Sequence, residues 1–179
     1  MQLSEYSLDR LRDDGEFVLY RAHAKQMEPP SVLLLTPAST RPSPETLKKL
    51  DHEYSLRSEL DSAWAVRPLA LPERGPETML VLEDPGGKTL DGFISGPMEM
   101  TQFLDFAVGL ATALGGLHET KLIHKDLKPT NVLVDSARVR SGSSALESLP
   151  AFGASAKPPN LPSSSPEHLL TWLLNRLGE

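Results

Sequence analysis

The sequence predicts an α+β chain, and three observations predict it: short apolar runs with strand character, two segments with helical start signals or helical spacing, and a polar loop leading into a buried strand. Taken in order, Ser31-Val32-Leu33-Leu34-Leu35-Thr36 is the first strand, entered after a Pro29-Pro30 break. Ser43-Pro44-Glu45 then starts a helix, because a hydroxyl can cap the first amides, proline suits the first helical position and an early acid complements the dipole. That helix is predicted to run to about Leu60 and carries His52-Glu53-Tyr54 near its middle. Thr78-Met79-Leu80-Val81-Leu82-Glu83-Asp84 is a second strand, stopped by Pro85-Gly86-Gly87. Over 101–120, Phe103, Phe106, Ala107, Leu110, Ala111, Leu114 and Leu117 recur at steps of three and four, which is one apolar face of a helix. This helix delivers the chain to His124, and Val132 to Val134 close the loop as a buried strand.

Composition narrows the function classes. A chain of 179 residues with 39% hydrophobic and 23% charged residues has the makeup of a globular domain with a core. A formal charge of −6, with no basic cluster longer than Lys48-Lys49, argues against nucleic acid or an anionic membrane as partner. No run approaches a membrane span, and Met1-Gln2-Leu3-Ser4-Glu5 lacks the basic-then-apolar pattern of a leader, so a cytoplasmic location is expected. The absence of cysteine removes disulfide and thiolate chemistry, and five scattered histidines show no metal-ligand spacing. Nothing in the sequence points to an oligomer.

The chemistry is concentrated in His124-Lys125-Asp126-Leu127-Lys128-Pro129-Thr130-Asn131-Val132-Leu133-Val134. This stretch resembles the catalytic loop of protein kinases, H-R-D-L-x-x-x-N, in order and spacing. The resemblance implies that Asp126 accepts or orients the proton of a substrate hydroxyl, that Asn131 holds a metal ion, and that Lys128 lies against the transferring phosphate. Lys125 replaces the usual arginine and loses its planar fork. Glu83 and Asp84, at the end of a strand that breaks at Pro85-Gly86-Gly87, resemble the linker passing the nucleotide and are the candidate cofactor-binding residues, together with Glu53. Glu53 would be the glutamate of the family's C helix, which pairs with a lysine on the preceding strand. That strand, 31–36, has no lysine, and Lys25 lies before it, beyond the proline pair. A glycine-rich hairpin for phosphate is missing as well, since Gly15 is the only glycine between Leu11 and Lys25.

A wider resemblance covers about 16–137. Pro42-Ser43-Pro44-Glu45, Leu50-Asp51-His52-Glu53-Tyr54, Leu80 to Gly87 and Leu122 to Val134 are similar to the N-terminal Ser/Thr-kinase-like domain of bacterial multidomain sensors that end in a sensor histidine kinase. It implies a two-lobed kinase fold with an antiparallel sheet and C helix in the N-lobe, ATP and magnesium as cofactors, and hydroxyl phosphorylation in signalling. The expected organisation is an N-lobe over 14–92, the start of a helical C-lobe over 93–137, and a non-native or disordered tail over 138–179.

The tail motivates its own reading. From Arg138 the chain turns Ser-, Pro- and Ala-rich, and the continuation of a kinase, with a strand, a D-F-G turn, an activation loop and A-P-E, is read as absent. Codons can be chosen for 138–179 so that one added base after codon 137 spells T-G-Q-V-W-L-I-G-F-G-I-A and, later, M-A-P-E. A frameshift is therefore expected. Two functions stay open: ATP-dependent phosphotransfer through Asp126, Lys128 and Asn131, or a non-catalytic pseudokinase module with a protein partner in signalling. The missing lysine, glycine hairpin and D-F-G turn favour the second for this chain.

Overall fold

The computed structural model describes residues 6–24, 31–72, 78–135, 146–150 and 154–156. They fall into two compact units, Met1–Glu59 with Val66–Asp84 and Leu60–Ala65 with Pro85–Glu179.

The first unit is an antiparallel sheet with one helix, as expected. Its strands are β1 (Tyr6–Asp13), β2 (Phe17–Ala24) and β3 (Ser31–Pro37). Helix α1 (Pro44–Ser55) follows, then a short 3-10 turn at Leu56–Ser58. The two-residue β4 (Ala65–Val66) lies at the sequence junction of the units, and β5 (Pro68–Ala70) and β6 (Leu80–Glu83) complete the sheet in the order β1-β2-β3-β6-β5. β3 is central, paired on both edges. Leu33, Leu34 and Leu35 are all buried, which is why a continuous apolar run rather than an alternating one forms this strand. Leu34 lies opposite Tyr20 on β2 and Val81 on β6 and packs with Ala22 and Met79. β1 extends the sheet ahead of the boundary expected at residue 14. Helix α1 starts as predicted: the Ser43 hydroxyl accepts the Thr46 amide at 3.1 Å, with Pro44 at the first position. It tightens into the 3-10 turn before Leu60.

The second unit begins with β7 (Lys88–Thr89) and the single turn α2 (Leu90–Phe93), followed by the long helix α3 (Met100–Glu119). Phe106, Ala107, Leu110, Ala111, Leu114 and Leu117 are buried on α3, matching the predicted stripe except at Phe103, which is only half-buried, and Ala113 is buried beside them. Phe106, Leu110 and Leu114 pack with Val132, Val134, Trp64 and Phe93, and the Phe93 and Phe106 rings meet edge to face at 5.4 Å. Gly116 lets α3 approach the Trp64 indole, since a Cβ there would come within 2.6 Å of the ring. Among the described residues α3 is the one helix long and apolar enough to cross a membrane, and its buried face is core.

After α3 come β8 (Leu122–His124), a 3-10 turn at Pro129–Asn131, β9 (Leu133–Val134), β10 (Leu146–Pro150) and β11 (Ala154–Ala156). β9 pairs antiparallel with β7 and with β10, and β8 pairs antiparallel with β11. Two strands therefore stand inside the segment read as a tail without one. Ladder bonds run between backbone groups, so a run such as Leu146-Glu147-Ser148-Leu149-Pro150 can join a sheet without strong side-chain patterning. The remaining tail lies outside the described residues. Gly87 secures the entry to this unit: its φ is +70° and a Cβ would collide with the Val134 carbonyl, so only glycine fits the turn before β7.

Candidate functional site

The loop from His124 to Val134 is held open by backbone rules at both ends. Lys121, with φ of +65°, turns the chain out of α3 and into β8, and Pro129 sets the 3-10 turn in which the Asn131 amide donates to the Lys128 carbonyl at 2.8 Å. The Leu90 amide donates to the Val132 carbonyl at 2.8 Å and ties the loop's exit to α2. Val132, Leu133 and Val134 are buried, and their burial anchors a polar loop to the core.

Within that frame three of the predicted residues converge. Asn131 is fully buried, and its side-chain amide donates to the Asp126 carbonyl at 2.7 Å and to the Asp126 carboxylate at 3.0 Å. The Lys128 ammonium lies 2.8 Å from the same carboxylate oxygen. The Asp126 amide donates to Nδ1 of the buried His124 at 3.3 Å, which orients the start of the loop. Burial alone pushes the Asp126 carboxyl upward. The Lys128 hydrogen bond and charge, the Asn131 amide and the charge of His124 outweigh it and hold the group below its ordinary value. Asp126 is thus a positioned, ionised carboxylate, suited to accept a hydrogen bond from a hydroxyl.

The other candidates belong to the first unit. Glu53 is buried on α1, and β3 supplies it no cation, because leucines fill the strand. Glu83 ends β6, where its amide donates to the Arg67 carbonyl at 2.9 Å. Asp84 is engaged by Arg21, whose Nε and Nη2 donate to the two carboxylate oxygens at 2.8 and 2.9 Å. Arg21 was not anticipated as a site residue. It is the one Lys or Arg within the strand Phe17–Ala24, but nothing local in the sequence names its partner.

These residues fit ATP and magnesium only in part. Asp126 would offer a carboxylate and Asn131 an amide oxygen to a metal ion, but among the described residues no three His, Cys, Asp or Glu side chains form a group able to hold one. The first unit presents no lysine on β3 and no glycine-rich hairpin between β1 and β2. The geometry that is assembled is an ionised carboxylate held by Lys128 and the buried Asn131.

A family model described as protein kinase domain matches residues 35–157, most of the chain. The serine/threonine-protein kinase pkn2 of Myxococcus xanthus is 32% identical over 91 residues, covering 50% of this chain and 11% of that protein. Serine/threonine-protein kinase PrkC of Bacillus subtilis is 28% identical over 93 residues, 51% of this chain and 14% of PrkC. Mitogen-activated protein kinase kinase 7 of Arabidopsis thaliana is 26% identical over 121 residues, 66% of this chain and 38% of that kinase. The chain thus spans well under half the length of these relatives. The family match continues beyond Ala137, across β10 and β11, to residue 157. The three residues between those strands are Ala151-Phe152-Gly153, which lie outside the described residues.

Proposed function

Because this chain belongs to the protein kinase domain family, we propose that it is the front part of a Ser/Thr-type kinase domain from a bacterial multidomain sensor, altered by a frameshift near codon 137 and without phosphotransfer activity. The observation that carries the inactivity is the contrast within the family's own machinery: Asp126, Lys128 and Asn131 converge, while β3 has Leu33-Leu34-Leu35 where a lysine is needed. Transition-state charge on a phosphoryl group needs positioned cations, and one well-placed carboxylate does not replace them. The frameshift is supported by the identities of 138–179, whose permitted codons spell a kinase continuation in another frame. A cytoplasmic location goes with this reading.

A second reading has a specific observation in its favour. The family match through 157 and the pairing of β10 with β9 and β11 with β8 suit a genuine continuation, with Ala151-Phe152-Gly153 in place of D-F-G. Alanine supplies no metal-binding oxygen there, so this reading also gives a non-catalytic module, one that would act through a protein partner in signalling.

Two experiments test these readings, the first the inactivity they share and the second the origin of residues 138–179. Labelled-ATP assays with generic hydroxyl acceptors should give the same background for the chain and its Asp126→Ala variant; a rate clearly above the variant would overturn the inactivity. Sequencing the gene around codon 137 should restore A-P-E when one base is added. A restored frame that stops early would instead assign the segment to this protein and favour the second reading.

A further inference from the structure

The turn between β1 and β2 stands where a phosphate-binding hairpin would present open backbone amides, and here every amide from 14 to 17 is already used. The Asp14 amide donates to the Phe17 carbonyl at 3.2 Å, and the Gly15 amide to the Asp13 carboxylate at 3.1 Å. The Glu16 and Phe17 amides both donate to one Asp14 carboxylate oxygen, at 3.1 and 2.8 Å. Side chains of Asp thus satisfy locally the donors that a nucleotide would need. The charges are matched locally as well: Arg10 lies 3.2 Å from Asp13 and Arg12 lies 3.6 Å from Asp14.

Glu16 reaches in another direction. Both of its carboxylate oxygens accept from the Lys49 ammonium, at 2.8 and 2.7 Å, and the Thr46 hydroxyl lies 3.4 Å from one of them. Thr46 and Lys49 are one turn apart on α1, so a single carboxylate grips one face of the helix. The Glu16 carbonyl meanwhile accepts the Ala38 amide at 2.9 Å, just beyond β3. One residue therefore joins the turn, the end of β3 and the first half of α1. The usual anchor of such a helix, a lysine on β3 facing Glu53, has no counterpart in the leucines of β3.

We propose that the β1–β2 turn is a closed latch that holds α1 through Glu16 and Lys49 and leaves no donor for a nucleotide phosphate. The inference rests on the first unit alone and stands whichever origin residues 138–179 have. Its test is amide hydrogen exchange on the full chain, read at 14–17 and at 44–50, with and without millimolar ATP and magnesium. ATP should leave exchange at 14–17 unchanged. Glu16→Gln and Lys49→Met should each speed exchange over 44–50 about threefold, as expected for a partly exposed ion pair. The double variant should exceed neither single variant, and the charge-swapped Glu16→Lys/Lys49→Glu pair should regain protection. Slower exchange at 14–17 with ATP, or single effects that are absent or simply add, would overturn the latch. These readouts are independent of phosphotransfer, so failure here is distinguishable from failure of the proposed inactivity.

Discussion

Asp84 and Asp126 are the same residue type, each 2.8 Å from a cation, yet they do different work in the two units. The Asp84 side chain is 1% exposed and meets Arg21 through both oxygens, whereas the Asp126 side chain is 45% exposed and shares one oxygen with Lys128 and Asn131. A carboxylate sealed in a two-pronged pair joins β2 to the end of β6 and has little left to offer a ligand. A half-exposed carboxylate held from one side keeps lone pairs for chemistry. Identity and pairing distance therefore do not distinguish a structural acid from a reactive one; exposure and the geometry of the partner do.

The comparison breaks most easily at Arg21. Removing one member of a buried ion pair strands the other, at a cost of about 3–5 kcal/mol. Arg21→Met should lower the urea unfolding midpoint of the chain accordingly, and Arg21→Met/Asp84→Leu should recover much of the loss. A single variant within about 0.5 kcal/mol of the parent, the range of ordinary surface substitutions, would show that Asp84 remains available to a ligand after all.

Asn131 sharpens the contrast from the other side. It is fully buried, and its amide bridges the Asp126 carbonyl and carboxylate. Asn131→Ala should cost about 1–3 kcal/mol, the penalty for leaving buried polar groups unsatisfied. The loss should concentrate in faster amide exchange across 126–131, with α1 unaffected. Exchange unchanged over that loop would mean that Asn131 does not organise it.

How much of this was legible in the sequence follows from the range of the interactions. The loop from His124 to Val134 was readable because Asp126, Lys128 and Asn131 meet within a few residues and are specified by local spacing. Helix α1 was readable from Ser43 and Pro44, which act within one turn, and α3 from a stripe that only a helix can align. The Arg21–Asp84 pair was not readable, because 63 residues separate its members and only the sheet order, with β2 and β6 on either side of β3, brings them together. Glu16 and Lys49 were hidden for the same reason. β10 and β11 were missed because strand pairing depends on backbone groups offered by β9 and β8, which leave no mark on the partner's composition.

The smallest effect concerns Lys128, and its sign follows from the lowered pKa of Asp126. Burial favours the neutral carboxyl, but the Lys128 ammonium, the Asn131 amide and His124 favour the anion and prevail. The folded-state value then lies below the unfolded one, so the ionised group stabilises the fold above the ordinary carboxylate range, and that stabilisation is lost as pH falls through the depressed value. Because both side chains are well exposed, Lys128→Met should cost under about 1 kcal/mol at neutral pH. The difference between parent and variant in urea unfolding should shrink as the solution is acidified through that range, and the Asp126 carboxyl carbon should titrate at higher pH in the variant. A parent Asp126 that titrates at or above the ordinary carboxylate value would break the contrast, since the half-exposed acid would then be no better prepared for a substrate hydroxyl than a solvated one.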